Sequence, residues 1–151
     1  MKKPNRNRQL GVTLMELMIV VAIVAMISAF AYPSYMDYVV NTKRTAAQTT
    51  LLQVMDRQQQ FFMDNKRYAA TLTDLGFANN PLSVADDGNT VPAGDADEVY
   101  SISLANITAT SYDAVATPLG QQLRRDTKCA TLTIDNSGAR QASGTKPDDC
   151  W

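Results

Sequence analysis

The chain has 151 residues with 14 lysine or arginine and 15 aspartate or glutamate side chains, but four of the basic side chains and none of the acidic ones lie in the first eleven residues. The body that follows therefore carries 10 basic and 15 acidic side chains, which is atypical of a general nucleic-acid binder but leaves room for a local basic patch. The lack of histidine removes the commonest general base and metal ligand, and two cysteines are too few for a zinc site.

An uncharged, mostly apolar run begins at Leu17 and ends at Met36. About 20 residues in a helix span roughly 30 Å, the thickness of the hydrocarbon core of a bilayer, so the run predicts a transmembrane helix. The basic residues before it should stay in the cytoplasm, which sends the chain after about residue 37 outward. Glu16 lies at the start of the run and should cost less than the roughly 2.5–3.5 kcal/mol of a central carboxylate, so insertion remains favourable.

Three fates of this segment are compatible with the residues. It can be an ordinary signal anchor, a secretory signal peptide cut after Ala29-Phe30-Ala31, or a segment cut between Gly11 and Val12. The third fate gives Glu16 a partner, because the new α-amino group of Val12 would lie four residues away on the same helix face. The carboxylate of one chain could equally pair with the amine of another chain, which would set the register of an assembly.

The stretch GVTLMELMIVVAIVAMISAFAYPSYMDYV, residues 11–39, closely resembles the N-terminal motif of type IV prepilins. That motif consists of a short basic leader, a glycine, an apolar residue, Thr-Leu-x-Glu-Leu and a long apolar helix. The resemblance implies that prepilin peptidase cleaves after Gly11, that Val12 is N-methylated, and that Glu16 contributes to subunit recruitment and register in a helical filament. Val12 departs from the phenylalanine that usually begins the mature chain, and Ala25 departs from a common glycine.

The resemblance also implies a division of the chain and a location. Residues 1–11 would be a cleaved basic leader, residues 12–36 a transmembrane and filament-core helix, and residues 37–151 a globular domain that includes the outer half of the helix. We expect a single-pass protein of the bacterial inner membrane with a cytoplasmic N-terminus, which becomes extracellular in the pilus. Its partners would be other pilin subunits, prepilin peptidase, the inner-membrane assembly machinery and, before assembly, the membrane.

The helical pattern continues beyond the apolar run, so we predict one helix from about Thr13 to Met63. Its outer half is amphipathic, with an apolar face that Gln58 interrupts. A domain is expected to pack on this apolar face. The opposite face is predicted to carry Lys43, Arg44, Gln48, Arg57 and Gln59.

Residues 64–98 contain many turn-forming residues and predict a connecting region. Its acidic residues fit a solvated loop better than a calcium site, because their spacing misses the EF-hand pattern. Calcium binding by residues 86–98 stays open, since the related major pseudopilins of type II secretion bind calcium in their C-terminal loops. The acidic residues concerned are Asp86, Asp87, Asp95, Asp97 and Glu98.

Strand patterns follow at residues 99–105, 111–117, 128–135 and 139–143. They predict an antiparallel sheet of three or four strands whose apolar face covers the outer half of the helix. The fold class is therefore α+β, a long N-terminal helix that is half transmembrane and half amphipathic, packed on a sheet. The N-terminal resemblance implies that this is the type IV pilin fold.

Two cysteines, Cys129 and Cys150, are expected to form a disulfide in an oxidising compartment, worth roughly 3 kcal/mol in the loop-entropy model. The C-terminal half also resembles PilE-type minor pilins, through residues 67–77, Tyr100-Ser-Ile, residues 112–118, residues 126–138 and a terminal Cys-Trp. One branch of that group resembles the ComP-like pilins, which act as DNA receptors in natural transformation.

The leading hypothesis is a type IV pilus subunit, most like a minor pilin, in a filament that supports pilus biogenesis, twitching motility or adhesion. One alternative is a DNA-binding pilin with a patch at Arg124, Arg125 and Lys128, which Asp126 and other acids dilute, so that weak DNA binding at most is expected. Another alternative is a type II secretion pseudopilin. No enzyme, metal or cofactor site is expected, because nucleophile motifs and phosphate loops are missing from the sequence.

Overall fold

The computed structural model describes residues 12–151, so the basic leader and Gly11 lie outside the described residues. These residues divide into two compact units, one that ends at Asp37 and one that runs from Tyr38 to Trp151. The elements in chain order are α1 (Leu14–Asn65), β1 (Leu82–Ala85), β2 (Thr90–Val91), β3 (Glu98–Ala105), β4 (Asp113–Pro118), α2 (Gly120–Arg125), β5 (Leu132–Asp135), β6 (Arg140–Ala142) and a short 3-10 helix (Pro147–Asp149).

Helix α1 confirms the predicted long helix, with 52 residues and Pro33 inside it. It begins with an N-cap, because the Oγ1 atom of Thr13 accepts a hydrogen bond of 3.2 Å from the backbone N–H of Glu16. Threonine at the N-cap with glutamate three residues later is the sequence of a capping box. The observed cap uses the backbone N–H of Glu16 and not its carboxylate.

The sheet has six strands in the order β2-β1-β3-β4-β5-β6, and every neighbouring pair is antiparallel. The four predicted strands correspond to β3, β4, β5 and β6. The two further strands lie in the region that we expected to be only connecting, and they form a hairpin around Asp87-Gly88. All four residues of β1 are buried, including the polar Ser83, and a run of four residues is too short to establish an alternating pattern in the sequence.

Strand β5 begins at Leu132, four residues later than predicted. The preceding residues do not join the ladder, because their backbone carbonyls accept hydrogen bonds from the C-terminal tail. Four consecutive tail residues each donate a backbone N–H to a carbonyl between residues 127 and 131, at 2.9–3.1 Å. They are Ser143, Gly144, Thr145 and Lys146. Ala130 has a positive φ of 51°, which a regular strand does not allow.

The core of the second unit lies between the outer part of α1 and the sheet. Ala47, Leu51 and Val54 of α1 are fully buried against side chains such as Tyr100 and Ile102. The buried apolar residues in this part of α1 therefore follow the predicted 3.6-residue period. A Leu51→Ala change in such a core typically costs about 2–5 kcal/mol.

Gln58 interrupts the apolar face of α1 but is fully buried. Its Nε2 donates to the carbonyl of Ala69 at 3.1 Å, and its Oε1 accepts from the N–H of the same residue at 2.8 Å. The amide thereby acts like a strand partner for the chain that returns from α1. Both polar ends are satisfied, which is why the core accepts this residue.

Candidate functional site

The N-terminal residues of the described chain present an exposed apolar surface. An 18-residue window of α1 has a mean hydropathy of 2.5 and is entirely exposed. Val12 is 72% exposed and Phe30 is 78% exposed. This helix is long and apolar enough to cross a membrane.

Val12 and Glu16 do not stand on the same helix face in the way that their spacing suggested. The helix begins at Leu14, so Val12 precedes the N-cap residue Thr13 and is not part of the helix. The carboxylate of Glu16 makes no ion pair with any residue between 12 and 151. In the uncut chain the nitrogen of Val12 is an amide, so an ammonium partner would exist only after cleavage at Gly11.

A second cluster lies where α2 meets the segment before β5. We call residues 124–128 the basic segment. Arg124, Arg125 and Lys128 are exposed there, whereas Asp126 is 1% exposed. Of the three acids expected to dilute this patch, Asp126 is therefore removed from the surface, whereas Asp148 and Asp149 of the C-terminal tail are exposed.

The carboxylate of Asp126 is held by a buried polar cluster. Arg44 of α1 binds it with two hydrogen bonds, Nη2 to Oδ1 at 2.6 Å and Nε to Oδ2 at 3.0 Å. Tyr100 of β3 donates its hydroxyl to Oδ2 at 3.0 Å, and Gln122 of α2 lies 3.3 Å from the same oxygen. A bidentate arginine–carboxylate contact of this kind is both strong and geometrically specific. It therefore joins α1, β3 and α2 at one point.

This cluster corrects the expectation that Arg44 faces solvent, because its side chain is only 11% exposed. Desolvation alone would lower the pKa of Arg44, but the hydrogen bonds and charge of Asp126 outweigh it and raise this pKa. Burial raises the pKa of Tyr100 well above its usual value. The guanidinium is therefore charged and the phenol neutral at physiological pH, as the hydrogen bonds require.

The C-terminal tail borders the basic segment. Cys129 and Cys150 form a disulfide with a Cα–Cα distance of 5.5 Å. Lys146 donates its backbone N–H to the carbonyl of Lys128 at 2.9 Å, so these two exposed lysines lie on adjacent stretches of backbone. The Trp151 indole donates to the carbonyl of Gln141 at 3.0 Å.

The acidic residues of the connecting region mostly organise their own turns. Asp87 accepts from the N–H of Asn89 at 2.9 Å, and Asp95 accepts from the N–H of Asp97 at 3.0 Å. The two oxygens of Glu98 accept from the Ser83 hydroxyl and from the N–H of residue 94. Within residues 12–151, no three acidic or cysteine side chains are grouped closely enough to hold a metal ion.

Two family models match this chain. Residues 33–133 match the family described as type IV minor pilin ComP, DNA uptake sequence receptor, and residues 6–32 match the prokaryotic N-terminal methylation motif. Fimbrial protein Q of Moraxella bovis is 31% identical over 131 residues, which cover 84% of this chain and 79% of that protein. The type IV major pilin protein PilA of Myxococcus xanthus is 40% identical over 73 residues, which cover 48% of this chain but only 32% of that protein.

Among solved structures, a type IV pilin from Shewanella oneidensis aligns with 74% of this chain and 97% of its own length, with 21% sequence identity and a TM-score of 0.49. An exposed apolar N-terminal helix with a methylation motif, followed by an antiparallel sheet, defines a type IV pilin. The chain belongs to the type IV minor pilin ComP family and is a type IV pilus subunit. These relatives are pilins and fimbrial proteins rather than enzymes.

Proposed function

We propose that the chain is the precursor of a structural, non-catalytic pilus subunit that prepilin peptidase cuts between Gly11 and Val12 and methylates at Val12. The exposed apolar surface of α1 supports this proposal most directly, because such a surface needs either lipid or the helices of other subunits. Before assembly, residues 12–36 would anchor the chain in the bacterial inner membrane, with the N-terminus in the cytoplasm and residues 37–151 outside. The inner-membrane assembly machinery would then incorporate it into an extracellular filament.

Processing can be tested by N-terminal analysis of the mature protein. We expect it to begin with N-methylated Val12, and Gly11→Arg should leave the leader attached. A start at Tyr32 would instead show that Ala29-Phe30-Ala31 is a signal-peptide site and would refute the proposal. Deleting the gene should impair piliation, and normal pili with lost protein secretion would favour a type II secretion pseudopilin.

The role proposed for Glu16 is to pair with the α-amino group of Val12 on a neighbouring subunit and so set the stagger between apolar helices. The capping interaction offers a different explanation, and three variants separate the two. Glu16→Gln removes the charge but keeps a residue suited to the capping box, whereas Thr13→Val removes the cap alone. We expect Glu16→Gln and Glu16→Ala to insert in the membrane and assemble poorly, and Thr13→Val to assemble. The opposite pattern would assign Glu16 to capping.

A second candidate function is DNA capture at the basic segment. It is favoured by the burial of Asp126, which leaves Arg124, Arg125 and Lys128 exposed without an acid among them. The family description, which names a DNA uptake sequence receptor, agrees with this function. Binding through phosphates would be weak and would fall steeply with salt, because each contact displaces a counterion from the duplex.

The DNA hypothesis is tested with the mature full-length chain in a non-ionic detergent and a fluorescent duplex, followed by anisotropy. Arg124→Ala with Arg125→Ala should reduce the slope of log K against log salt by about 2. Lys66→Ala with Arg67→Ala is the matched control, since these exposed cations lie outside the basic segment. Equal losses in both pairs would mean that binding reflects general charge and would refute a specific site.

A further inference from the structure

A cleft of about 350 Å³ lies beside the basic segment. Its walls combine α1, the chain that enters β3, and α2. It is lined by Lys43, Ala96, Glu98, Val99, Leu119, Gly120, Gln121, Gln122 and Arg124. Two cations from different elements, Lys43 and Arg124, therefore share one cleft.

We propose that Lys43 and Arg124 together bind a phosphodiester of DNA in this cleft, so that the basic surface extends from α2 onto α1. The inference rests on the proposed DNA-binding function and adds a contact to it. Lys43 is half-buried, and it makes no ion pair with any residue from 12 to 151. A half-buried lysine without an ion-pair partner is available to an anion from solution, and packing already partly orders its aliphatic stem.

The acid within the cleft is Glu98, whose charge leaves the lining, with Lys43 and Arg124, at a net charge of +1, and two hydrogen bonds hold its carboxylate in place. The Ser83 hydroxyl donates to Oε1 at 2.5 Å, and the N–H of Gly94 donates to Oε2 at 2.8 Å. The exposed Asp95 and Asp97 precede and follow the wall residue Ala96 in the sequence, so further acids lie next to this wall in the chain. This predicts a subsite for one phosphate group rather than a long basic groove.

The neighbouring Arg44–Asp126 pair explains why the two cations keep their places. Arg44 follows Lys43 on α1, and Asp126 follows Arg124 by two residues, so the pair joins the two walls directly next to the proposed contacts. Gln122 adds a hydrogen bond of 3.1 Å to the carbonyl of Val40 on α1. The cleft is thus preorganised, which lowers the entropy cost of binding.

The decisive experiment measures duplex DNA binding by the mature full-length chain in a non-ionic detergent at several salt concentrations. Lys43→Gln should reduce the slope of log K against log salt by about 1. The loss in affinity should be about 15-fold at 50 mM salt and about 4-fold at 200 mM, as expected for one phosphate contact. Lys66→Gln is the control and should change affinity far less.

The outcomes separate this inference from the DNA function on which it rests. If Arg124→Ala with Arg125→Ala weakens binding but Lys43→Gln behaves like Lys66→Gln, the cleft proposal is wrong and the basic segment alone binds DNA. If neither variant has an effect, the DNA function itself fails. If Lys43→Gln instead weakens binding of phosphatidylglycerol added to the detergent micelles and leaves DNA binding unchanged, the cleft serves a lipid headgroup and the proposal is overturned.

Discussion

Two buried tyrosines provide a matched test of the polar cluster. The Tyr100 hydroxyl donates to Asp126 at 3.0 Å and accepts from Gln122 at 3.1 Å. The Tyr112 hydroxyl is also buried, yet it has no hydrogen-bond partner among residues 12–151. Replacing either tyrosine by phenylalanine removes one buried hydroxyl group, so the two variants differ in the hydrogen bonds that this hydroxyl makes.

The expected effects have opposite signs. Tyr100→Phe removes a hydrogen bond to a charged group and leaves Gln122 with one acceptor fewer, so it should lower the free energy of unfolding by about 2 kcal/mol. Tyr112→Phe removes an unsatisfied hydroxyl and keeps the edge-to-face contact with Tyr68, whose ring centroid lies 4.7 Å away. It should raise the free energy of unfolding by about 1 kcal/mol.

The measurement is chemical or thermal unfolding of both full-length variants in detergent, followed by the circular dichroism of the sheet. A difference of about 3 kcal/mol between them corresponds to a separation of roughly 10 °C in Tm for a domain of this size. Similar losses in both variants would refute the reasoning, because they would show that the hydroxyl of Tyr112 is satisfied in solution or that the rings, not the hydroxyls, matter.

Three further predictions concern the C-terminal part of the chain. Cys129→Ser with Cys150→Ser should lower the free energy of unfolding by about 3 kcal/mol in urea titrations, because the disulfide joins residues that lie 21 positions apart in the sequence. Gly144→Ala should lower the free energy of unfolding by about 1–3 kcal/mol in thermal unfolding, because an added Cβ would lie 2.1 Å from the carbonyl oxygen of Lys128. An unchanged Tm would show that the tail relaxes freely. The Ser137 hydroxyl and nearby backbone N–H groups lower the pKa of Asp135. The charged carboxylate therefore stabilises the folded state at neutral pH, and this contribution is lost below about pH 4. In Asp135→Asn, the free energy of unfolding should fall less steeply with acid than in the wild type.

The sequence was sufficient to predict the elements whose hydrophobic pattern is local. The helix was placed within two residues at either end because its apolar run and later 3.6-residue period are continuous. Strand β3 is predicted by alternation, and β4 by a run that Pro118 ends. Strand β1 was missed because Leu82–Ala85 has only four residues and lies between turn-forming residues, which is too short a run to establish a period.

The candidate site was only partly predictable. The basic cluster of Arg124 and Arg125 is visible because the two residues are adjacent in the sequence. The pairing of Asp126 with Arg44, in contrast, joins residues 82 positions apart. No local pattern reports such a contact. Arg44 was assigned to the solvent face because periodicity gives the direction of a side chain and not the element that covers it. The N-cap at Thr13 was predictable from a threonine that directly precedes the helical run and is followed three residues later by glutamate.

Trp151 makes the C-terminus a natural spectroscopic probe, because it is the only tryptophan of the chain. Its indole is fixed by the hydrogen bond to Gln141, and the guanidinium of Arg140 lies 5.4 Å from the ring centroid. The fluorophore is covalently next to Cys150, so its emission reports whether the tail is docked. Intrinsic fluorescence can therefore follow reduction of the bridge without any added label.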